Sequence, residues 1–170
     1  MIQCYTGNGK GKTTAALGLA LRAAGHKKKV KIFQFMKGQI NYGELTSVKL
    51  LYPYVEIEQC GRKEFVSKDK PEKIDIDLAR SCWEKAKKDI FSEKYDIIIL
   101  DELNVALDFK LLEIEDIVET LKTKPENLEI VITGRYAPKE IINIADLVTE
   151  MKEIKHYYQK GVPEREGFEY

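Results

Sequence analysis

A chain of 170 residues has room for one domain, residues 1–170, that buries roughly 70% of its unfolded surface without needing staples. Hydrophobic residues at 44% and charged residues at 33% exclude a disordered or collagen-like chain. Lys+Arg and Asp+Glu each number 28, so the formal net charge is zero and the basic excess of a nucleic-acid binder is missing.

Ile2–Thr6 predicts a short strand that runs into a glycine-rich turn. Thr13–Ala24 predicts a helix that is apolar nearly all round, through Ala16, Leu17, Ala20 and Leu21 among others, and therefore largely buried, with Gly25 as its stop. Val30–Phe35 and Tyr54–Cys60 predict the second and third strands. Pro71 opens a long helix whose apolar stripe is Leu78, Cys82, Trp83, Ala86 and Ile90, so Trp83 reads as core. Asp96–Leu100 is a continuous apolar strand ending in Asp101-Glu102; strands apolar on both faces belong to a buried parallel sheet. Ile114, Ile117, Val118 and Leu121 mark another amphipathic helix, Leu128–Thr133 a further buried strand, and Leu147–Ile154 the last. The tail beyond Ile154 is aromatic, charged and irregular. Alternating strands and helices predict an α/β sheet covered on both faces.

No apolar run approaches the roughly 18 residues that span a bilayer, and Met1–Tyr5 lacks the features of a signal peptide. Cys4, Cys60 and Cys82 lie far apart with no CxxC pair, and read as reduced thiols of a cytoplasmic protein. His26 with Lys27–Lys29 reads as a solvated turn, and His156 as structural.

Thr6-Gly7-Asn8-Gly9-Lys10-Gly11-Lys12-Thr13-Thr14 is the strongest signal. It follows a predicted strand and precedes a predicted helix, the context of a phosphate-binding loop. Glycines let the backbone turn tightly and aim several N–H groups at one anion, and the helix start adds its free N–H groups and positive dipole end. Lys12 places an ammonium on the outer phosphates, and Thr13 offers a hydroxyl to a magnesium ion between them. Thr6 stands where the first glycine of the usual pattern is expected. Asp101-Glu102 at the end of an apolar strand supplies the acids with which such proteins hold magnesium. Glu102 either aligns an attacking water or ligates the metal. The expected fold is therefore a single-domain P-loop NTPase (RecA-like) three-layer α/β sandwich with a mostly parallel sheet.

Further blocks follow the other strands: Gln34-Phe35-Met36-Lys37-Gly38 with Gly43-Glu44; Asp101 to Leu107; Thr133-Gly134-Arg135-Tyr136-Ala137-Pro138; and Ala145 to Met151 followed by Lys155-His156. With the loop, this ordered set closely resembles the P-loop-type ATP:corrinoid adenosyltransferases from about residue 2 to residue 170. The resemblance implies that a corrinoid whose cobalt is reduced to the +1 state attacks the 5′ carbon of ATP, so that triphosphate leaves intact and a cobalt–carbon bond forms. No general base is required, because the nucleophile carries no proton. The resemblance further implies that Gly7, Asn8, Gly9, Lys10, Gly11, Lys12, Thr13 and Thr14 hold the triphosphate, and that Thr13 and Glu102 ligate Mg2+. Lys10, Lys12 and Arg135 would neutralise phosphate charge, and Phe65 would face the corrinoid. It implies ATP and a reduced corrinoid as ligands, a homodimer, and a reductase that delivers the cobalt.

Two departures qualify the likeness. Better-known members carry Phe-Thr-Trp after the third strand, an aromatic pair thought to displace the corrinoid's lower nucleotide ligand; here the stretch is Glu64-Phe65-Val66-Ser67. Ser67 in place of tryptophan puts that displacement in doubt, or points to an incomplete corrinoid as substrate. Several relatives also carry an N-terminal helix ahead of the first strand, whereas this sequence begins at the strand. Read from the residues alone, Phe65, Tyr157, Tyr158 and Phe168 either line a corrinoid pocket or cap the fold. The competing readings are a P-loop ATPase or small-molecule kinase that cleaves at the γ-phosphate, and a non-enzymatic ATP-gated module that delivers a corrinoid.

Overall fold

The computed structural model describes residues 1–38 and 42–170. Strands β1 (Ile2–Thr6), β2 (Val30–Phe35), β3 (Val55–Cys60), β4 (Ile97–Asp101), β5 (Glu129–Thr133) and β6 (Leu147–Glu150) form one six-stranded sheet in the order β3-β2-β4-β5-β1-β6. Every pairing is parallel, so the sheet is wholly rather than mostly parallel. The helices are α1 (Lys12–Gly25), α2 (Gly43–Leu50), α3 (Lys73–Ile90), α4 (Leu103–Asp108), α5 (Ile114–Thr123) and α6 (Lys139–Ile144).

Side chains of a strand alternate between faces, and that alternation divides the interior in two. Ile97 and Ile99 of β4, Val131 of β5, and Val30 and Ile32 of β2 meet Ala16, Ala20, Ala23 and Ala24 of α1. Four alanines with no bulky neighbour on that stripe let α1 lie close against the sheet. Ile98, Leu100, Ile130, Ile132, Phe33 and Phe35 face the other way, against Trp83, Leu103, Ile117, Leu121 and Ile141 from α3 to α6. These are the two covered faces of the expected three-layer sandwich. Trp83 is core, and its indole N–H donates to Asp116 Oδ2 at 2.6 Å, tying α3 to α5.

Several sequence expectations are corrected. Cys60 and Cys82 form a disulfide with Cα atoms 5.6 Å apart, while Cys4 alone is free. The three cysteines are not all reduced thiols, and cysteine usage no longer argues for a reducing compartment. Helix α1 is not buried all round: Leu21 is 59% exposed, and the buried stripe runs through Ala16, Ala20, Ala23 and Ala24, with Leu17 and Leu19 partly buried beside it. Gly25 continues α1 instead of stopping it; the left-handed residue beyond the helix is Lys27 at φ 60. The long third helix starts at Lys73, not at Pro71, because Glu72 and Asp75 form a reciprocal capping box there. The last strand ends at Glu150, and the tail beyond it holds a short 3-10 turn at Tyr157–Lys160. Among the described residues, no helix is long and apolar enough to cross a membrane.

Candidate active site

A parallel sheet delivers the C-terminal ends of all its strands to one edge, where α/β proteins bind ligands. At that edge β1 passes into the loop Gly7–Gly11 and α1 begins at Lys12. The loop is backed by the chain that leaves β6: Gly9 N–H donates to Met151 O at 2.7 Å. A Cβ at Gly9 would stand 2.8 Å from both Met151 O and Lys152 O, so only glycine fits this approach. Lys12 is buried, and its Nζ donates to Gly7 O and Gly9 O, both at 2.8 Å. The ammonium therefore lies inside the curl of the loop. Burial holds its pKa below the ordinary lysine value, and Arg135 pushes the same way against the pull of Glu102 and Asp101.

Asp101 is the hub of the site. It is 1% exposed, at the last position of β4. Its Oδ1 accepts from Thr13 Oγ1 at 2.8 Å and Thr133 Oγ1 at 2.6 Å. Its Oδ2 accepts from Lys37 Nζ at 3.0 Å and Gln34 Nε2 at 3.4 Å. Three strand ends and α1 are thereby joined through one carboxylate, because β2 and β5 flank β4 in the sheet. Glu102 follows in a left-handed conformation at φ 62, and its N–H donates to Thr133 Oγ1 at 3.0 Å. Burial raises the Glu102 pKa, Asp101 adds to the rise, and Lys37, Lys12 and Arg135 oppose it. Burial works against the Lys37 ammonium, but Asp101, Glu102 and Glu44 outweigh it and hold its pKa above the ordinary value.

A cavity of about 1060 Å³ opens beside these groups, just above the usual range for small-molecule sites. Lys10 to Thr14, Lys37, Glu102 and Arg135 supply its polar end. Leu17 and Leu21 of α1 with Val48 of α2 and Leu51 beside it form an apolar wall. This accounts for the exposed side of α1: it faces the cavity. Tyr157, Tyr158 and Phe168 of the tail line it as well. His156 also lines the cavity, while its Nδ1 accepts from Tyr158 N at 3.1 Å, capping the 3-10 turn.

The structure brings together most of the residues singled out in the sequence. Gly9, Lys10, Gly11, Lys12, Thr13, Thr14, Glu102 and Arg135 all line the cavity. Gly7 accepts from Lys12 within the loop, and Asn8 is exposed at its tip. Lys10 Nζ donates to Phe168 O at 3.0 Å, so it joins the loop to the tail. Arg135 is exposed at the rim, and among the described residues no carboxylate lies within ion-pair distance of it. Phe65 stands apart: it is fully exposed and does not line the cavity. It lies between β3 and α3, on a stretch held at one end by Arg62, which bonds Asp75 and Glu72 at the start of α3. Sequence reasoning gave no individual part to Lys37, Gln34 or Thr133. Their common signal is position, each at or just past the end of a strand beside β4.

The residues also suit magnesium. Thr13, Asp101 and Glu102 offer hard oxygen donors side by side, and among the described residues no group of three or more His, Cys, Asp or Glu could hold a metal ion. That donor set matches an ion that keeps its waters and takes substrate phosphates as further ligands.

A glycine loop between strand and helix, a lysine within its curl, and a helix-start threonine bonded to a buried strand-end aspartate define a P-loop nucleotide-binding α/β protein. The chain belongs to the ATP:corrinoid adenosyltransferase BtuR/CobO/CobP family, whose model matches residues 1–170. It is 36% identical over 170 residues to the corrinoid adenosyltransferase of Escherichia coli K12, covering 100% of this chain and 85% of the relative. It is 34% identical over 170 residues to "Corrinoid adenosyltransferase CobA" of Salmonella typhimurium, with the same coverage. The corrinoid adenosyltransferase of a Sinorhizobium species is 35% identical over 171 residues, covering 100% of this chain and 80% of the relative.

Proposed function

We infer that the protein transfers the 5′-deoxyadenosyl group of ATP to the reduced cobalt of a corrinoid and releases triphosphate, as one domain spanning residues 1–170. The observation that carries this reading is the cavity: a phosphate loop shares it with apolar and aromatic walls, in a space large enough for more than a nucleotide. The two electrons of Co(I) form the cobalt–carbon bond. The C5′–O bond breaks, and its electrons leave on the triphosphate.

The chain's own residues bind and orient. Backbone N–H groups of Lys10 to Thr13 face the departing triphosphate, where charge grows in the transition state. Lys12, Lys10 and Arg135 add positive charge around it. Thr13 and Glu102, with Asp101 behind them, would hold magnesium; when bound, the ion supplies charge neutralisation to the triphosphate. No residue is needed to accept a proton, in keeping with an Asp101 carboxylate tied to structural partners. Leu17, Leu21 and the tail aromatics offer the corrinoid an apolar surface to lie against.

The product tests the reaction. Protein mixed with Mg-ATP and chemically reduced cobalamin is expected to give intact triphosphate and the absorbance of a cobalt–carbon bond. ADP or inorganic phosphate in its place would favour the kinase or ATPase reading. Family resemblance also supports a cytoplasmic homodimer that receives Co(I) from a reductase, a state that light scattering in solution tests.

Glu102→Ala is expected to raise the magnesium concentration needed for half-maximal rate by at least on the order of tenfold, and to lower adenosylation with it. A variant with the parent's magnesium requirement and normal turnover would make Glu102 a bystander.

Phe65 and Ser67 carry a second expectation. Both are exposed, and the missing tryptophan leaves little apolar surface to exclude the corrinoid's lower base. Cobalamin in its base-on form is expected to react more slowly than a corrinoid lacking the lower nucleotide. Ser67→Trp should narrow the gap, and Phe65→Ala should slow both substrates if its exposed ring meets the corrinoid. Equal rates for the two corrinoids, unmoved by Ser67→Trp, would show that this stretch does not control the lower ligand.

A further inference from the structure

The acidic pocket suited to magnesium already contains a cation. Lys37 Nζ sits 3.0 Å from Asp101 Oδ2, while Thr13 and Thr133 occupy Oδ1. The lysine is well placed to stay. Its side chain is 19% exposed and its ammonium lies over the Tyr42 ring, 5.3 Å from the centroid. Its backbone is pinned where the chain leaving β2 crosses the chain leaving β3: Gly61 N–H donates to Lys37 O at 2.7 Å. A Cβ on the neighbouring Gly38 would fall 1.8 Å from Gly61 O, so this crossing tolerates no side chain there. Gln34 Nε2 donates to Glu44 Oε1 at 3.0 Å as well as facing Asp101, which keeps a second carboxylate beside the pair.

A buried carboxylate without a partner is strongly unfavourable, so some cation must accompany Asp101 in every state of the site. We propose that Lys37 is the resident counter-cation of Asp101 in the nucleotide-free protein, and that a divalent ion enters only together with the triphosphate. The inference rests on the nucleotide-site reading above and deepens it. A divalent ion arriving alone must displace that ammonium from its buried carboxylate partner. Arriving with ATP, it brings phosphate oxygens that give Lys37 a new anionic partner. Metal and nucleotide therefore favour each other's binding, by the reciprocity that governs any two coupled ligands. Lys37 becomes a positioning residue for the known reaction, one that sets the order of assembly.

The test titrates Mn2+ into the full chain without nucleotide and reads free Mn2+ by electron paramagnetic resonance. Lys37→Met is expected to bind Mn2+ at least tenfold more tightly than the parent, and Lys37→Arg, which keeps the charge, is expected to gain less than tenfold. A gain below tenfold for Lys37→Met, or an equal gain for Lys37→Arg, overturns the proposal. The wild-type protein supplies an arm that does not depend on a variant folding. At a magnesium concentration at which Mg-ATP raises its melting temperature, magnesium alone is expected to leave that temperature unchanged; a rise with magnesium alone overturns the proposal. Failure of this inference differs from failure of the reading beneath it. Normal stabilisation by Mg-ATP with metal binding insensitive to Lys37 overturns the inference alone. No stabilisation of the wild type by Mg-ATP overturns both.

Discussion

Lys12→Ala is expected to lower the adenosylation rate by about 10²–10³-fold, corresponding to roughly 2.7–4 kcal/mol of lost transition-state stabilisation. The expectation follows from where the ammonium lies. It is buried inside the loop, bonded to Gly7 O and Gly9 O at 2.8 Å, and among the described residues no other lysine side chain donates to those carbonyls. Charge develops on the departing triphosphate, so a cation held there in advance acts on the transition state more than on bound ATP. The loss should therefore fall mainly on kcat. The fold is expected to survive, because the loop keeps its anchor from Gly9 N–H to Met151 O. Kinetics with reduced cobalamin and circular dichroism of the same sample decide the matter. A Lys12→Ala protein within a few-fold of the parent rate would disprove the phosphate-loop assignment.

Asp101→Asn is expected to cost both activity and stability. The substitution keeps the shape of the side chain but removes the charge that Lys37 faces at 3.0 Å. Whichever way the amide turns, one buried cation loses its partner, a change typically worth about 3–5 kcal/mol. For a chain of this size that is a fall in melting temperature on the order of 10 °C. The bonds from Thr13 and Thr133 are weakened as well, so α1 loses its register on β4 and adenosylation is expected to be nearly abolished. Denaturant titration in two backgrounds identifies the cause. In a Lys37→Met background the same substitution should destabilise much less, since no ammonium remains to be stranded. Equal losses in both backgrounds would mean that the ion pair contributes nothing to the effect.

The loop, the acidic strand end and the layer order were legible in the sequence because their signals are local. Gly7 to Thr14 are contiguous, Asp101-Glu102 ends an unbroken apolar run, and alternation of strand and helix patterns leaves little choice of fold class. The short helices α2, α4 and α6 were not legible, since six to eight residues span too few turns to show an apolar period. The partners of Asp101 were hidden for a different reason. Lys37 precedes it by 64 residues and Thr133 follows it by 32, and only the placement of β2 and β5 on either side of β4 makes them neighbours. The same holds for Cys60 and Cys82, 22 residues apart, which meet because α3 packs back across the end of β3. Phe65 shows the converse. Its chemistry suggested a pocket wall, yet its ring is wholly in solvent, because burial depends on what the rest of the chain brings to a position. The sequence by itself determined the parallel sheet, the phosphate loop and the reaction family through residue type and local period. The tertiary structure alone decided which side chains share a charge, which thiols pair and which face of α1 lines the cavity, since those depend on strand order and helix direction.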